Sequence, residues 1–140
     1  MIELLGLPGA GKTTYAKKEL GDYTNILENN IYSDNRIRQN LNKIVFYVFF
    51  AARTPKRYLL GINKLNNIHF NSRKTKIKMN LYLFMTLGLL DKYKDKDVLL
   101  DEGLGQVLWA FYYNSKDSIE AINGIFDMFN EYCCDTVLFI

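Results

Sequence analysis

The chain has 140 residues, of which 49% are hydrophobic and 14% aromatic; this is enough for one buried core and excludes a disordered chain. The net charge of +3 is unevenly distributed, because residues 35–90 contain no Asp or Glu and carry eleven of the 18 Lys and Arg residues. We therefore expect a single domain whose basic segment, residues 35–90, meets an anionic partner: a phosphorylated acceptor, a nucleic acid or an anionic surface.

Membrane and secretion signals are absent from the sequence. The longest apolar runs, residues 44–52 and 81–90, are shorter than the roughly 20 residues of a spanning helix. An apolar strand begins near Met1, where a signal peptide would have basic residues, so we expect a cytoplasmic protein. The adjacent Cys133 and Cys134 lack the spacing of metal ligands or of a redox pair and predict buried thiols.

The first 33 residues predict a strand, a loop, a helix and a second strand. Residues 2–5 form the apolar strand, and residues 12–20 form a helix that ends at Gly21. A weaker strand pattern follows at residues 30–33.

The middle of the chain predicts three helices. After Asp34, apolar residues recur at helical spacing and predict an inward face made of Ile37, Leu41, Ile44, Val45, Val48 and Phe49. Thr54 and Pro55 predict the start of the next helix. Its expected inward residues are Tyr58, Leu59, Ile62 and Leu65. Residues 66–75 then predict a loop, and residues 76–92 the third helix.

The last third predicts two strands separated by helices. Residues 98–101 form an apolar strand, and a helix with Trp109 and Phe111 follows. Asp117 and Glu120 predict a capping box for another helix, and residues 136–140 a final strand. The inward residues expected on that helix are Ile119, Ile122, Ile125, Phe126 and Phe129. This alternation predicts an α/β three-layer sandwich, in which helices cover both faces of a parallel sheet.

The loop after the first strand reads GLPGAGKTT over residues 6–14 and fits the pattern G-x-x-x-x-G-K-[ST]. Such a loop turns successive backbone N–H groups toward phosphate oxygens, in conformations that a Cβ would obstruct. The following helix aims its positive end at the same phosphates. The residues predicted to bind a nucleoside triphosphate are Gly6, Pro8, Gly9, Ala10, Gly11, Lys12, Thr13 and Thr14.

Catalytic and metal-binding roles follow from this motif and from the strand that ends in Asp101. Lys12 is expected to contact the β- and γ-phosphates, and the Thr13 hydroxyl to bind Mg²⁺. Asp101 is the expected carboxylate for the same Mg²⁺, through water. Glu102 either polarises a water or an acceptor, or caps the next helix.

Three segments, GLPGAGKTT, LLDEG at residues 99–103 and YSDNRIRQNLN at residues 32–42, together resemble the P-loop kinase superfamily of small nucleoside, nucleotide and metabolite kinases. The resemblance implies a P-loop NTPase fold with strand order 2-3-1-4, ATP or GTP as nucleotide, and Mg²⁺ as cofactor. It also implies an arginine-bearing lid and a further strand, which would come after Ile140.

The resemblance also implies acceptor-binding residues. In adenylylsulfate kinases and similar enzymes, the second strand ends in Asp followed shortly by Arg, a place that Asp34 and Arg36 or Arg38 occupy here. Asp34 is therefore either the base that meets the acceptor hydroxyl or the cap of the following helix. The basic segment, residues 35–90, falls where these kinases bind the acceptor, which favours a small anionic one.

Three functions stay open at this point. The first is a kinase that transfers the γ-phosphate to a small anionic acceptor. The second is a nucleotide-dependent regulator or slow NTPase in which Glu102 orients water. The third is a polynucleotide-directed kinase or nucleic-acid-binding NTPase that uses the basic segment as a phosphate track. An exposed edge beside the last strand would also invite a partner or a second copy.

Overall fold

Strands and helices alternate along the chain in the computed structural model, which describes residues 1–7 and 9–140. Pro8, one of the predicted nucleotide-binding residues, lies outside the described residues. The elements are β1 (Ile2–Leu5), α1 (Lys12–Glu19), β2 (Thr24–Asn25), α2 (Ile26–Asn30), α3 (Arg36–Arg53), α4 (Pro55–Asn66), α5 (Arg73–Tyr93), β3 (Val98–Leu100), α6 (Leu104–Asn114), α7 (Ile119–Phe126), a 3₁₀ helix (Asp127–Tyr132) and β4 (Thr136–Phe139).

The sheet has four strands, all parallel, in the order β2-β3-β1-β4, as predicted. Side chains of β3 alternate between the two faces: Leu99 packs with Leu4 and Ala16 of α1, whereas Val98 and Leu100 join the larger core on the opposite face. Helices therefore cover both faces of the sheet, and the sheet is buried between them. The carboxyl ends of β1 and β3 lie side by side, because Glu3 is paired with Leu100.

The second strand is shorter and earlier than predicted. It covers only Thr24–Asn25, and the residues expected to form it, 30–33, lie in α2 and the following loop. The side chain of Asn25 accepts hydrogen bonds from the N–H groups of Leu27 and Glu28, so it caps α2 immediately after the strand. The prediction failed because the apolar residues of α2 pack at helical spacing onto the core while the capping asparagine looks like an ordinary loop residue.

The helices α3 and α5 form the largest helix pair of the fold. Residues 83–90 of α5 are all buried, so this helix runs through the core. Gly88 allows the close approach of α3, because a Cβ at this position would clash with the carbonyl oxygen of Phe46. Helix α5 begins three residues earlier than predicted, since the Ser72 hydroxyl accepts a hydrogen bond from the N–H of Thr75.

The face of α3 that the periodicity placed inward is exposed. The side chains of Ile37, Leu41, Ile44, Val45 and Val48 are 49–71% exposed. Phe46 and Phe50, on the other side of the helix, are buried instead. Both sides of α3 are apolar, and the aromatic side wins because large rings bury more area against α5.

Other sequence predictions were correct in part. On α4, Leu65 is buried but Leu59 is exposed. On α7, Ile119 is exposed while Ile122, Ile125 and Phe126 are buried; Phe129 is also buried but lies in the following 3₁₀ helix. Asp117 does not cap α7, because Ser118 does so, and Asp117 instead accepts hydrogen bonds from His69. The thiols are not both buried: Cys133 is exposed and Cys134 half-buried. In the described part of the chain, no helix has the length and apolar character needed to cross a membrane.

Candidate functional site

The glycines of the loop between β1 and α1 are needed for two different reasons. Gly9 and Gly11 have φ angles of 82° and 85°, in the left-handed region that a Cβ disfavours. Gly6 instead makes a close approach, since a Cβ there would lie 2.6 Å from the carbonyl oxygen of Ile140. Gly9, Ala10 and Gly11 are exposed, so this part of the loop is open to a ligand.

Lys12 reaches back across this loop from the first residue of α1. Its Nζ donates to the carbonyl oxygen of Gly6 at 2.9 Å and to that of Leu7 at 3.3 Å. Thr13 and Thr14 follow in the first turn of α1 and are exposed. The first turn of α1 contains no acidic residue, so the lysine and the helix N-terminus both contribute positive potential to the loop. This arrangement attracts an anion.

Asp101 directly follows β3 and is only 9% exposed. Burial raises the pKa of this carboxyl, whereas the Asn25 amide and the Lys12 ammonium act in the opposite direction. Within the described residues, Oδ1 of Asp101 is buried without a hydrogen-bond partner. A buried carboxylate oxygen that lacks a donor fits a metal ion or its bound water as the missing partner.

The described residues do not form a complete metal site by themselves. Among residues 1–7 and 9–140, no cluster of three or more His, Cys, Asp and Glu side chains is arranged to hold a metal ion. Mg²⁺ is commonly bound by one or two protein ligands, water and substrate phosphates. Asp101 and Thr13 carry oxygen ligands of the type that such an ion takes.

Glu102, the residue after Asp101, forms part of the wall of a cavity of about 390 Å³. The hydroxyl of Tyr82 donates to Oε2 of Glu102 at 3.2 Å, and Tyr32 contacts the same carboxylate. Burial and the Glu102 charge raise the pKa of both phenols, which therefore stay protonated as donors. The wall is completed by Leu27, Ile31, Asn40, Lys43, Lys78, Met79, Leu81 and Met85.

Three predicted acceptor residues do not line this cavity. Asp34, Arg36 and Arg38 are exposed around the start of α3. The expected position of Asp34 at the end of the second strand is wrong, because β2 ends nine residues earlier. Its alternative role as helix cap is also wrong, since Asn35 accepts the hydrogen bonds of the first turn of α3. Asp34 sits in a turn with nothing apolar to bury it.

The cavity supplies other polar groups in their place. Lys43 of α3 and Lys78 of α5 are separated by 35 residues, and the packing of the two helices brings both to one wall. The absence of acidic residues over 35–90 was the sequence signal for them, but it did not single out these two lysines. Glu102 does not cap α6, because the N-cap is Gly103 and the carboxylate faces the tyrosines.

Glu3 is a buried carboxylate of the site that no sequence pattern singled out. It is 2% exposed, in the middle of β1, and its Oε1 accepts a hydrogen bond from the N–H of Gln106 at 3.2 Å. Further bonds from the N–H groups of Gly103 and Gly105 favour the charged form, although burial has the larger effect and raises the Glu3 pKa. A Cβ at Gly103 would clash with this carboxylate. Glu3 thereby anchors the start of α6 directly behind Asp101 and Glu102.

A second, apolar cavity of about 270 Å³ adjoins the glycine loop on its far side. Leu5, Gly6 and Leu7 form one wall, and Gln106, Trp109 and Phe139 form the other. Trp109, the single tryptophan of the chain, and Phe139 are both partly exposed, so their rings are accessible from solvent. Two aromatic rings beside an anion-binding loop suit a flat, partly apolar group attached to phosphate.

Comparison of the chain with protein families, curated proteins and solved structures gave no match. The fold is an α/β sandwich with a four-stranded parallel sheet in the order 2-3-1-4. The site joins a glycine loop, a buried carboxylate and a cavity with its own carboxylate at the carboxyl ends of adjacent strands, which is where open parallel sheets commonly bind ligands.

Proposed function

We propose that the protein is a P-loop phosphotransferase that moves the γ-phosphate of ATP or GTP to a small acceptor. The observation that carries this proposal is the position of Glu102. This carboxylate follows Asp101 directly and faces a cavity of about 390 Å³, so a metal-binding and an acceptor-binding carboxylate lie on adjacent residues. A regulator that only binds or slowly hydrolyses nucleotide does not require a second cavity at this place.

The glycine loop would hold the triphosphate. The exposed residues Gly9 and Gly11, the N-terminus of α1 and the Lys12 ammonium all favour negative charge at one place, and the Ala10 N–H would exchange its bond to the Leu7 carbonyl for a phosphate oxygen. Lys12 would exchange its bonds to the Gly6 and Leu7 carbonyls for phosphate oxygens. Thr13 and Asp101 would hold Mg²⁺, which supplies charge neutralisation at the β- and γ-phosphates when it is bound.

The transfer step uses Glu102 as the general base. The carboxylate accepts the proton of the acceptor hydroxyl while the acceptor oxygen bonds to the γ-phosphorus. The bond from the γ-phosphorus to the bridging oxygen breaks, and the nucleoside diphosphate leaves with that electron pair. Tyr32 and Tyr82 hold the carboxylate in place as hydrogen-bond donors.

The cavity indicates what kind of acceptor it takes. Lys43 and Lys78 provide two positive charges, whereas Leu27, Ile31 and Met85 form an apolar wall. A small molecule with an anionic group, an apolar part and a hydroxyl group would match both features. We propose that the base of the nucleotide lies on the opposite side of the loop, in the apolar cavity with Trp109 and Phe139.

Nucleotide turnover with pools of candidate acceptors tests this proposal. Purified protein is given Mg²⁺ with ATP or GTP, and nucleosides, nucleotides and sugar phosphates are added one class at a time. We expect turnover to rise with one class and to be lost in Lys12→Ala. Binding is followed separately through the fluorescence of the single Trp109, which nucleotide in the apolar cavity should quench. Quenching without acceptor-dependent turnover would favour the regulator and contradict the phosphotransferase.

A further inference from the structure

The outer face of α3 is a further candidate binding surface, whose groove borders the cavity beside Glu102 at Leu81. We define it by the five exposed aliphatic residues of α3 and by one exposed aliphatic residue of α5. Its members are Ile37, Leu41, Ile44, Val45, Val48 and Ile77. Between the two helices this face forms a groove of about 410 Å³ with mainly apolar walls. A contiguous exposed apolar surface of this kind is typical of interaction sites rather than of solvated surface.

Positive charge borders one end of this face. Arg36 and Arg38 lie in the first turn of α3, and Arg73 and Lys74 in the first turn of α5. The two helix starts are neighbours, because the first halves of α3 and α5 line the same cavity beside Glu102. Neither first turn contains an acidic residue.

These cations do not stabilise the helices that carry them. A helix N-terminus is already positive, so basic residues in the first turn cost helix stability. Other basic residues of the segment have internal partners: Arg53 pairs with Asp91 at 2.7 Å, and Arg57 pairs with Glu131. The cations at the starts of α3 and α5 are therefore best explained by an anion outside the chain.

From these observations we infer that the outer face of α3 binds the surface of an anionic lipid membrane. An amphipathic helix that lies in the membrane interface combines one apolar face with Lys and Arg beside it, and anionic headgroups attract those cations. Helix α3 has 18 residues, with an aliphatic stripe over about three turns and no acidic residue. Such a helix can lie along a bilayer without crossing it.

A second copy of the chain, a nucleic acid and another protein each fit this face less well than a membrane surface does. In a symmetric dimer formed through this face, the same patch would meet itself, so that the four cations of one copy would lie near those of the other. Nucleic acid would leave the aliphatic stripe unused, because single strands bind by stacking on aromatic rings and duplexes by polar contacts. Protein interfaces rely mainly on Trp, Tyr and Arg anchors, whereas this stripe consists of Ile, Leu and Val.

Sedimentation with lipid vesicles tests the inference independently of any enzymatic activity. The protein is mixed with vesicles of phosphatidylcholine alone or of phosphatidylcholine with phosphatidylglycerol, at low and high salt. We expect binding only to the vesicles with phosphatidylglycerol, and weaker binding at high salt. The double variant Leu41→Gln, Val45→Gln should lower the partition coefficient by about tenfold or more.

Matched variants distinguish vesicle binding through this face from nonspecific adsorption of the protein. Ile119→Gln removes an equally exposed isoleucine of α7 and should leave vesicle binding unchanged. Arg73→Ser with Lys74→Ser should weaken binding, whereas Lys116→Ser, a cation of the loop after α6, should not. Circular dichroism confirms that each variant is folded.

Three results would overturn the inference. The first is equal binding to both kinds of vesicle, or to neither. The second is binding that the Leu41→Gln, Val45→Gln variant retains. The third is a dimer in lipid-free solution, seen by analytical ultracentrifugation, that this same variant dissociates; it would assign the face to a second copy of the chain.

Discussion

The glycine loop and the cavity beside Glu102 follow neighbouring strands of the sheet, but they are built in opposite ways. The loop is a short stretch of consecutive exposed residues, with Lys12 as its main side chain. The cavity is lined by side chains from α2, the segment after it, α3, α5 and the residue after Asp101. Backbone groups recognise phosphate in general, whereas a wall of specific side chains recognises one molecule. Under the proposed function, the loop would therefore bind the triphosphate common to many enzymes, and the cavity would select the acceptor.

The largest expected effect comes from the cavity. Glu102→Gln preserves the size of the side chain, and its amide oxygen can still accept the hydrogen bond from the Tyr82 hydroxyl, but the proposed general base is lost. We expect kcat to fall by roughly 10²–10⁴-fold with little change in nucleotide affinity. Steady-state kinetics and a nucleotide titration measure the two quantities. Asp34→Asn is the matched control, because Asp34 lies outside the cavity; a large loss in that variant instead would restore Asp34 as the base.

The next largest effect is expected from a substitution beside the glycine loop. Lys12→Ala removes the cation that would follow the charge on the transferring phosphoryl group, and we expect turnover to drop by roughly 10²–10³-fold. Unlike the Glu102 variant, it should also weaken nucleotide binding. Calorimetric titration with Mg²⁺–ATP distinguishes the two cases. Lys17→Ala, at an exposed position later in α1, should have no such effect.

The packing of α3 against α5 depends on the close approach of the two helices at Gly88. Gly88→Ala places a methyl group against the carbonyl oxygen of Phe46, so we expect the free energy of unfolding to fall by about 1–3 kcal/mol. Gly124→Ala in α7 is the opposite case, because a Cβ there meets nothing within 4 Å and should stabilise the helix by about 0.5–1 kcal/mol. Urea denaturation measures the free energy of unfolding of each variant and of the wild type. A Gly88→Ala variant as stable as the wild type would show that α3 does not approach α5 this closely.

A smaller effect is expected from the two lysines of the cavity. Lys43→Gln or Lys78→Gln should raise the KM for the acceptor by about tenfold, with nucleotide affinity unchanged, because one charge contact is lost. Arg38→Gln removes a cation of the same helix outside the cavity and should leave that KM unaltered. A higher KM in the Arg38 variant only would move the acceptor site from the cavity to the start of α3.

The smallest effect concerns the folding free energy that is lost when the charged Asp101 carboxylate is buried. Because burial raises the pKa of Asp101 above its unfolded value, its contribution to stability is largest below about pH 3.8 and is lost as the pH rises through the folded pKa. We therefore expect Asp101→Asn to be more stable than the wild type at neutral pH, and this difference to disappear in acid. Unfolding curves at several pH values measure this. A variant that is less stable at neutral pH would contradict the raised pKa.

Features that depend on neighbouring residues could be predicted from local pattern alone. Gly9 and Gly11 lie in the loop after β1, Lys12 begins α1, and Asp101 directly follows an apolar strand. The strand order 2-3-1-4, implied by the resemblance to P-loop kinases, is also the order found.

Features that depend on distant contacts could not be predicted locally. Periodicity predicted that the aliphatic side of α3 faces inward, but α5 covers the side with Phe46 and Phe50, and the exposed aliphatic side became a candidate binding surface. The partners of Glu102 and the anchoring role of Glu3 likewise join residues far apart in the chain. Local patterns determine backbone conformation and residue spacing. Which surface becomes buried depends on the packing of the whole chain, because several surfaces can pack against the same core.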